Sequence, residues 1–124
     1  MASNVALRNK ILTDYGTALG TGTLTIYSGT PPASADAALS GNTALATHTM
    51  TGFAAASGGS MTANAIANSS ISATGTGTFA RIVSGSYVEQ LTVGTSGANV
   101  IVNTTSYVIG GTSQITSVTV AKSA

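Results

Sequence analysis

The chain has no cysteine and no tryptophan, only two prolines and one histidine, and seven formally charged residues among 124. Without cysteine there is no disulfide scaffold, although that alone does not fix the compartment. His48 with three dispersed carboxylates, Asp14, Asp36 and Glu89, gives no spacing for a structural metal, so no cofactor is implied. Four scattered cations and a net charge of +1 leave no electrostatic footprint for nucleic acid. No stretch approaches the roughly 18–20 apolar residues of a membrane helix. The first residues lack a basic region followed by an apolar run of about 7–15 residues, so no signal peptide is expected.

Catalytic parts are equally scarce. A nucleophilic serine needs a base, and His48 is the one imidazole. It falls mid-strand with Ala46 and Met50, where a packed structural role is expected. The three carboxylates fall in a helix, a proline-flanked loop and a strand, with nothing in the pattern to pair two of them. Gly75-Thr76-Gly77 is not followed by the lysine and helix start of a phosphate loop. The sequons at Asn68 and Asn103 are common by chance in such a chain. The expectation is a protein that is not an enzyme.

What the chain does have is small and neutral: 72 of its residues are Thr, Ser, Gly or Ala. Charged residues are 6%, against about a quarter in an ordinary soluble domain. Such a surface packs against protein without desolvating ions and gives little repulsion between monomers. Disorder requires low hydrophobicity with high net charge, and the second is absent. A folded domain with few large apolar side chains, and neither disulfide nor metal, is expected to gain stability by self-association, most simply as a homotrimer.

The periodicity divides the chain into a helical arm at 1–20 and a β domain at 21–124. Leu7, Ile11 and Tyr15 recur every four residues with Leu12 beside them, a helical stripe. Ser3 or Asn4 is placed to cap its start, and Gly16 to end it in a left-handed conformation. The period then becomes two. Strands are expected at 23–28, 44–51, 60–66, 72–83, 87–93, 98–102, 107–109 and 114–120, with Gly/Ser turns between many of them. Residues 29–36, with Pro31 and Pro32, read as a loop. Residues 52–60 read as a flexible or partner-ordered loop anchored by Phe53. The expected fold is mainly β, an antiparallel sandwich or jelly-roll-like barrel with one short N-terminal helix.

Two sets of residues are singled out. Leu7, Ile11, Leu12, Tyr15, Pro31, Pro32 and Phe53 are the expected interface residues. The helix stripe concentrates apolar surface outside the β pattern, either as a lid over an open end of the β core or as a contact with a neighbouring subunit, and the loops are rich in small residues with little charge. Arg81 and Glu89 are expected to pair. A three-residue loop at Ser84-Gly85-Ser86 sets them opposite one another, whereas a two-residue loop at Ser84-Gly85 sets Arg81 opposite Val88.

These segments resemble a family of small virion proteins of tailed bacteriophages. The likeness begins at Leu24-Thr25-Ile26-Tyr27-Ser28-Gly29-Thr30-Pro31-Pro32-Ala33 and continues through Gly41-Asn42-Thr43-Ala44-Leu45-Ala46-Thr47. It is strongest at Ala73-Thr74-Gly75-Thr76-Gly77-Thr78-Phe79-Ala80-Arg81-Ile82, similar to the family's A-T-G-T-A-T-W-F-R-I. Gly94-Thr95-Ser96-Gly97-Ala98 and the last strand complete a match over about residues 20–120. His48 stands where the family tends to carry an aliphatic residue and Ala80 where it carries Phe, which puts close packing at those points in question. The resemblance implies a capsid decoration (cement) protein on the virion surface, trimeric, with the major capsid protein as partner. A tail-associated or fibre module is the alternative. A carbohydrate-binding sandwich is a third, but its aromatic platform is not apparent with four Tyr scattered at 15, 27, 87 and 107.

Overall fold

A computed structural model describes residues 2–122; residue 1 of the expected arm and residues 123 and 124 of the expected β domain lie outside the described residues. One helix, α1 (Val5–Leu19), precedes eleven strands. These are β1 (Thr23–Tyr27), β2 (Ala44–Thr49), β3 (Ser60–Thr62), β4 (Ser69–Ser70), β5 (Gly75–Thr76), β6 (Phe79–Ser84), β7 (Tyr87–Gly94), β8 (Val100–Val102), β9 (Ser106–Tyr107), β10 (Thr112–Ser113) and β11 (Ile115–Ala121). The mainly β class with one short helix is therefore the observed one.

Seven strands form a single curled sheet in the order β2-β1-β6-β7-β8-β11-β3. All neighbours are antiparallel except β7 and β8, which run parallel through Val93 and Val100. The sheet is thus mixed where a purely antiparallel one was expected. Beyond β2 the chain turns to meet β3, and the two ends of the sheet are stitched together there. Ala54 N–H donates to Thr62 O (2.9 Å) and Asn64 N–H to Gly52 O (2.9 Å). Thr51 Oγ1 adds a bond to Ala65 O (2.8 Å). Closing a sheet in this way satisfies edge groups that would otherwise invite foreign strands.

Residues 52–60, expected as a flexible loop, are part of this seam. Phe53 bridges Ala63, and Ser57 and Ser60 exchange backbone hydrogen bonds across Gly58-Gly59. Both glycines have positive φ, 62° and 80°, which is the backbone of a type I′ hairpin turn.

Alternation assigns the inner face. Leu24, Ile26, Ala46, Ala80, Ile82 and Leu91 point inward, joined by Val100, Val102, Val118 and Val120 from the far strands. Each large aliphatic side chain withdrawn this way contributes about 1.5–3 kcal/mol. Ala80 is fully buried among them, so a small residue at that point does not open the fold to water. The helix closes the core with Leu12 and Leu19. Asn4 caps it, its Oδ1 accepting from Leu7 N–H at 3.0 Å. Gly16 does not end the helix as expected. Continuing to Leu19 buries that leucine, while Gly16 sits against Met61 and Phe53 at 3.5–3.6 Å from where a Cβ would lie. Burial outweighs the propensity cost of roughly 1 kcal/mol for a glycine in mid-helix.

The β6–β7 hairpin corrects the Arg81–Glu89 pairing. Ser84 pairs with Tyr87, so the loop is Gly85-Ser86, and Arg81 stands opposite Gln90 while Glu89 stands opposite Ile82. Gly85 has φ 59° and no non-glycine residue among the described residues has positive φ, which fits a type II′ turn whose twist matches that of the strands. Turn geometry, rather than charge matching, sets the register. We expect Gly85→Ala to cost about 1–2 kcal/mol, the penalty of a side chain in a left-handed conformation. Ser86→Gly should change stability much less, both read by urea denaturation.

Candidate functional site

Three arrangements of polar or exposed side chains stand out: an arginine clamp on the outer face of the sheet, a histidine cluster inside it, and an apolar surface around α1 and the β6–β7 hairpin.

Arg81 is only 8% exposed, yet it lies on the outer face with Phe79, and no carboxylate reaches it among the described residues. Its charge is met by neutral oxygens. Nε and Nη2 donate to Gln90 Oε1 at 3.0 and 2.9 Å. Nη2 also donates to the carbonyls of Ser34 (3.1 Å) and Ala37 (2.8 Å). Gln90 Nε2 in turn donates to Pro32 O at 2.8 Å. Residues 28–42 are thereby strapped across the sheet's outer face. Thr78 Oγ1 donates to Gly29 O (2.6 Å), and Asn42 Nδ2 donates to Ser28 O and Thr30 O (2.9 and 3.0 Å). Tyr27 and Phe79 stack on the same face, centroids 5.3 Å apart and 19° from parallel.

His48 is 1% exposed on the inner face, opposite Leu24. Its Nδ1 lies 2.9 Å from Ala67 O and its Nε2 2.8 Å from Ser113 Oγ. A carbonyl only accepts, so Nδ1 carries the proton and Nε2 accepts from the Ser113 hydroxyl. Burial pushes the imidazole below its ordinary value of 6.5, and the Ala67 bond offsets this only in part. Serine and histidine are thus hydrogen-bonded, but both are buried, and the far nitrogen meets a carbonyl rather than a carboxylate. This geometry ties β2 to β10 and to the segment before β4. It also explains how a polar residue occupies an aliphatic position. Tyr107 lies beside Ser113, its phenol raised by burial, with a buried hydroxyl that finds no partner in hydrogen-bonding geometry.

The expected interface residues divide. Leu12 belongs to the core, which removes it from any surface open to another molecule. The helix turns Leu12 and Leu19 inward and leaves Leu7 (50% exposed) and Ile11 outward. Tyr15 and Phe53 are half-buried and meet edge to face at 5.8 Å. Pro31 is exposed, whereas Pro32 is half-buried and held through its carbonyl. Apolar surface also appears at residues outside the expected interface: Val5, Leu39, Val83, Tyr87, Val108 and Ile109. Val108 and Ile109, expected within a strand, follow β9 and lie in the turn before Gly110-Gly111. An apolar pair next to a double glycine was the available signal.

Asp14 and Glu89, which no sequence pattern brings together, line one groove with Ile11, Tyr15, Ala18 and Tyr87. Burial pushes the Glu89 carboxyl above its usual range. Burial and the nearby Glu89 also push the Tyr15 phenol far above 10. Among the described residues, no group of three or more His, Cys, Asp or Glu side chains could hold a metal ion.

Two outcomes test these clusters. In a double-mutant cycle, Arg81→Ala and Gln90→Ala should couple by about 1.5–3 kcal/mol, the worth of a hydrogen bond to a charged group. Glu89→Ala should not couple with Arg81→Ala. For His48 the folded pKa lies below the unfolded 6.5, so the unfolded state binds the proton first. Its contribution is complete above pH 6.5 and is lost as pH falls through the folded pKa. Glu89 acts in the opposite sense: its contribution is present below 4.5 and is lost as pH rises through its raised pKa. Denaturation midpoints from pH 7.5 to 5 should therefore fall more steeply in Glu89→Gln than in the wild type. His48→Phe should flatten the slope, whatever its effect on absolute stability.

Compared with protein-family models, curated proteins and solved structures, the chain matches none, so the family expectation rests on its sequence motifs.

Proposed function

We propose that this chain is a non-enzymatic structural protein of a bacteriophage particle, a decoration protein that binds and stabilises the shell of the major capsid protein. The observation that carries the proposal is its surface. Seven charged residues serve the whole chain. Large apolar side chains stand exposed on the helix, on the β6–β7 hairpin and in the turn before Gly110, with Tyr87 and Ile109 at 60% and 64%. With so few charges little repulsion keeps copies of the chain apart, and apolar side chains at the surface favour contact over solvation. The motif order over residues 20–120 points to the same family. A homotrimer fits the proposal, since weak contacts made by each copy then act together through effective concentration.

The reading is tested by densitometry of purified particles. A decoration role requires copies of this chain in fixed proportion to the main shell protein, numbering in the hundreds. A few copies per particle would favour the tail or fibre alternative. Shells lacking the chain should assemble and rupture at lower temperature. Sedimentation of the free protein at micromolar concentration should give a trimer, and a stable monomer near 12 kDa would remove that part of the proposal.

A further inference from the structure

We propose that the groove between α1 and the β6–β7 hairpin docks an apolar peptide segment that carries a lysine or arginine, supplied by another protein. This stands independently of the virion reading. The groove, open to solvent, has a volume of about 410 Å³ and is lined by Ile11, Ala18 and Leu19 of the helix and by Tyr87 and Val88 of β7. Ile11, Ala18, Leu19 and Tyr87 give it an apolar lining, exposed at Ile11 and Tyr87.

The charge in the trough is of one sign. Asp14 and Glu89 are its ionisable carboxylates, and no cation is among its lining residues. Glu89 is the telling group. It is half-buried, burial alone accounts for the direction of its shift, and it makes no ion pair among the described residues. Beside it the Tyr15 hydroxyl is buried without a partner. The cations of the neighbouring elements leave that need unmet: Arg8 turns its guanidinium toward Gly59, and its buried Nε has no partner. Lys10 reaches only Asp14, at 4.0 Å, with both side chains about three-quarters exposed. Lys122 lines a separate hollow that shares Tyr15 and Glu89 with the groove. A desolvated carboxylate without donors is costly, and an ammonium or guanidinium arriving with its own apolar flank satisfies it while filling the trough. The rings of Tyr15 and Tyr87 supply further contact for a cation.

The test is an NMR titration of the full chain with two matched peptides, acetyl-Leu-Lys-Leu-amide and acetyl-Leu-Glu-Leu-amide. The lysine peptide should shift the Ile11, Ala18, Tyr87 and Glu89 signals together. It should bind about five-fold or more tighter than the glutamate peptide, the scale of one partly exposed ion pair. Glu89→Gln should bring the two within about two-fold, and Asp14→Asn, at an exposed position, should narrow the gap less. A melting curve run alongside each variant shows that it is folded. Equal binding of the two peptides overturns the proposal, as does the absence of shifts with either. Peptide-free shifts of the same signals with protein concentration, accompanied by a doubled sedimenting mass, would assign the groove to a second copy of this chain and overturn it too.

Discussion

A chain with two phenylalanines, no tryptophan and mostly Thr, Ser, Gly and Ala has little apolar volume with which to exclude water. The fold answers by leaving as few edges and faces open as it can. The sheet curls until β2 and β3 are joined through residues 51–54 and 62–65, and α1 closes the inside with two leucines. The outer face would still be wet over β6. It is closed by the strap of residues 28–42, which has little secondary structure of its own and depends on side chains for its anchorage. Phe79, Ala80, Arg81 and Ile82 are consequently buried in succession, so β6 is covered on both faces.

That arrangement makes Arg81 the hinge of the architecture. A guanidinium loses much hydration at 8% exposure, and a single carboxylate partner would fix it in one direction only. Neutral carbonyls have a different virtue: they belong to the strap's backbone, so the same bonds that solvate the charge hold residues 32–37 in place. Gln90 serves both sides, accepting from Arg81 through its oxygen and donating to Pro32 through its nitrogen. Planar, forked donors suit arginine to this task and a lysine would satisfy fewer acceptors.

Much of this was legible in the residues and some was not, for physical reasons that can be named. The alternation of Thr23 to Tyr27 and the inward set Ala46, His48 and Met50 specified strands because one face is dry and the other polar. The sequence expectation at 72–83 ran two strands together, since Gly77 and Thr78 interrupt the ladder without interrupting the composition. The short strands β4 and β10 carry Ser and Thr alone, leaving no hydrophobic signal to read. The Arg81 register differs by one residue from the charge-matched one because the turn, and not attraction between charges, sets it. A Gly-Ser loop of the II′ kind decides pairing before any long side chain can. Gln90, an uncharged residue, gave no sign of its part in the clamp.

The distribution of charge ties the parts together. One arginine is spent beneath the strap, where three oxygens from two segments, β7 and the strap itself, satisfy it, and one glutamate is left half-buried with its demand unmet. Lys10 and Asp14 meet only at the exposed limit of an ion pair, and pairs of that kind add little to stability. Specificity in any contact this molecule makes must therefore come from shape and from very few charges. Small side chains let two backbones approach closely, so complementarity over a broad neutral area can be high. Broad neutral contacts alone discriminate poorly between partners, however. A single desolvated carboxylate within an apolar trough adds the missing discrimination, because a partner without a donor there would leave it unsatisfied, and one with a carboxylate would repel it.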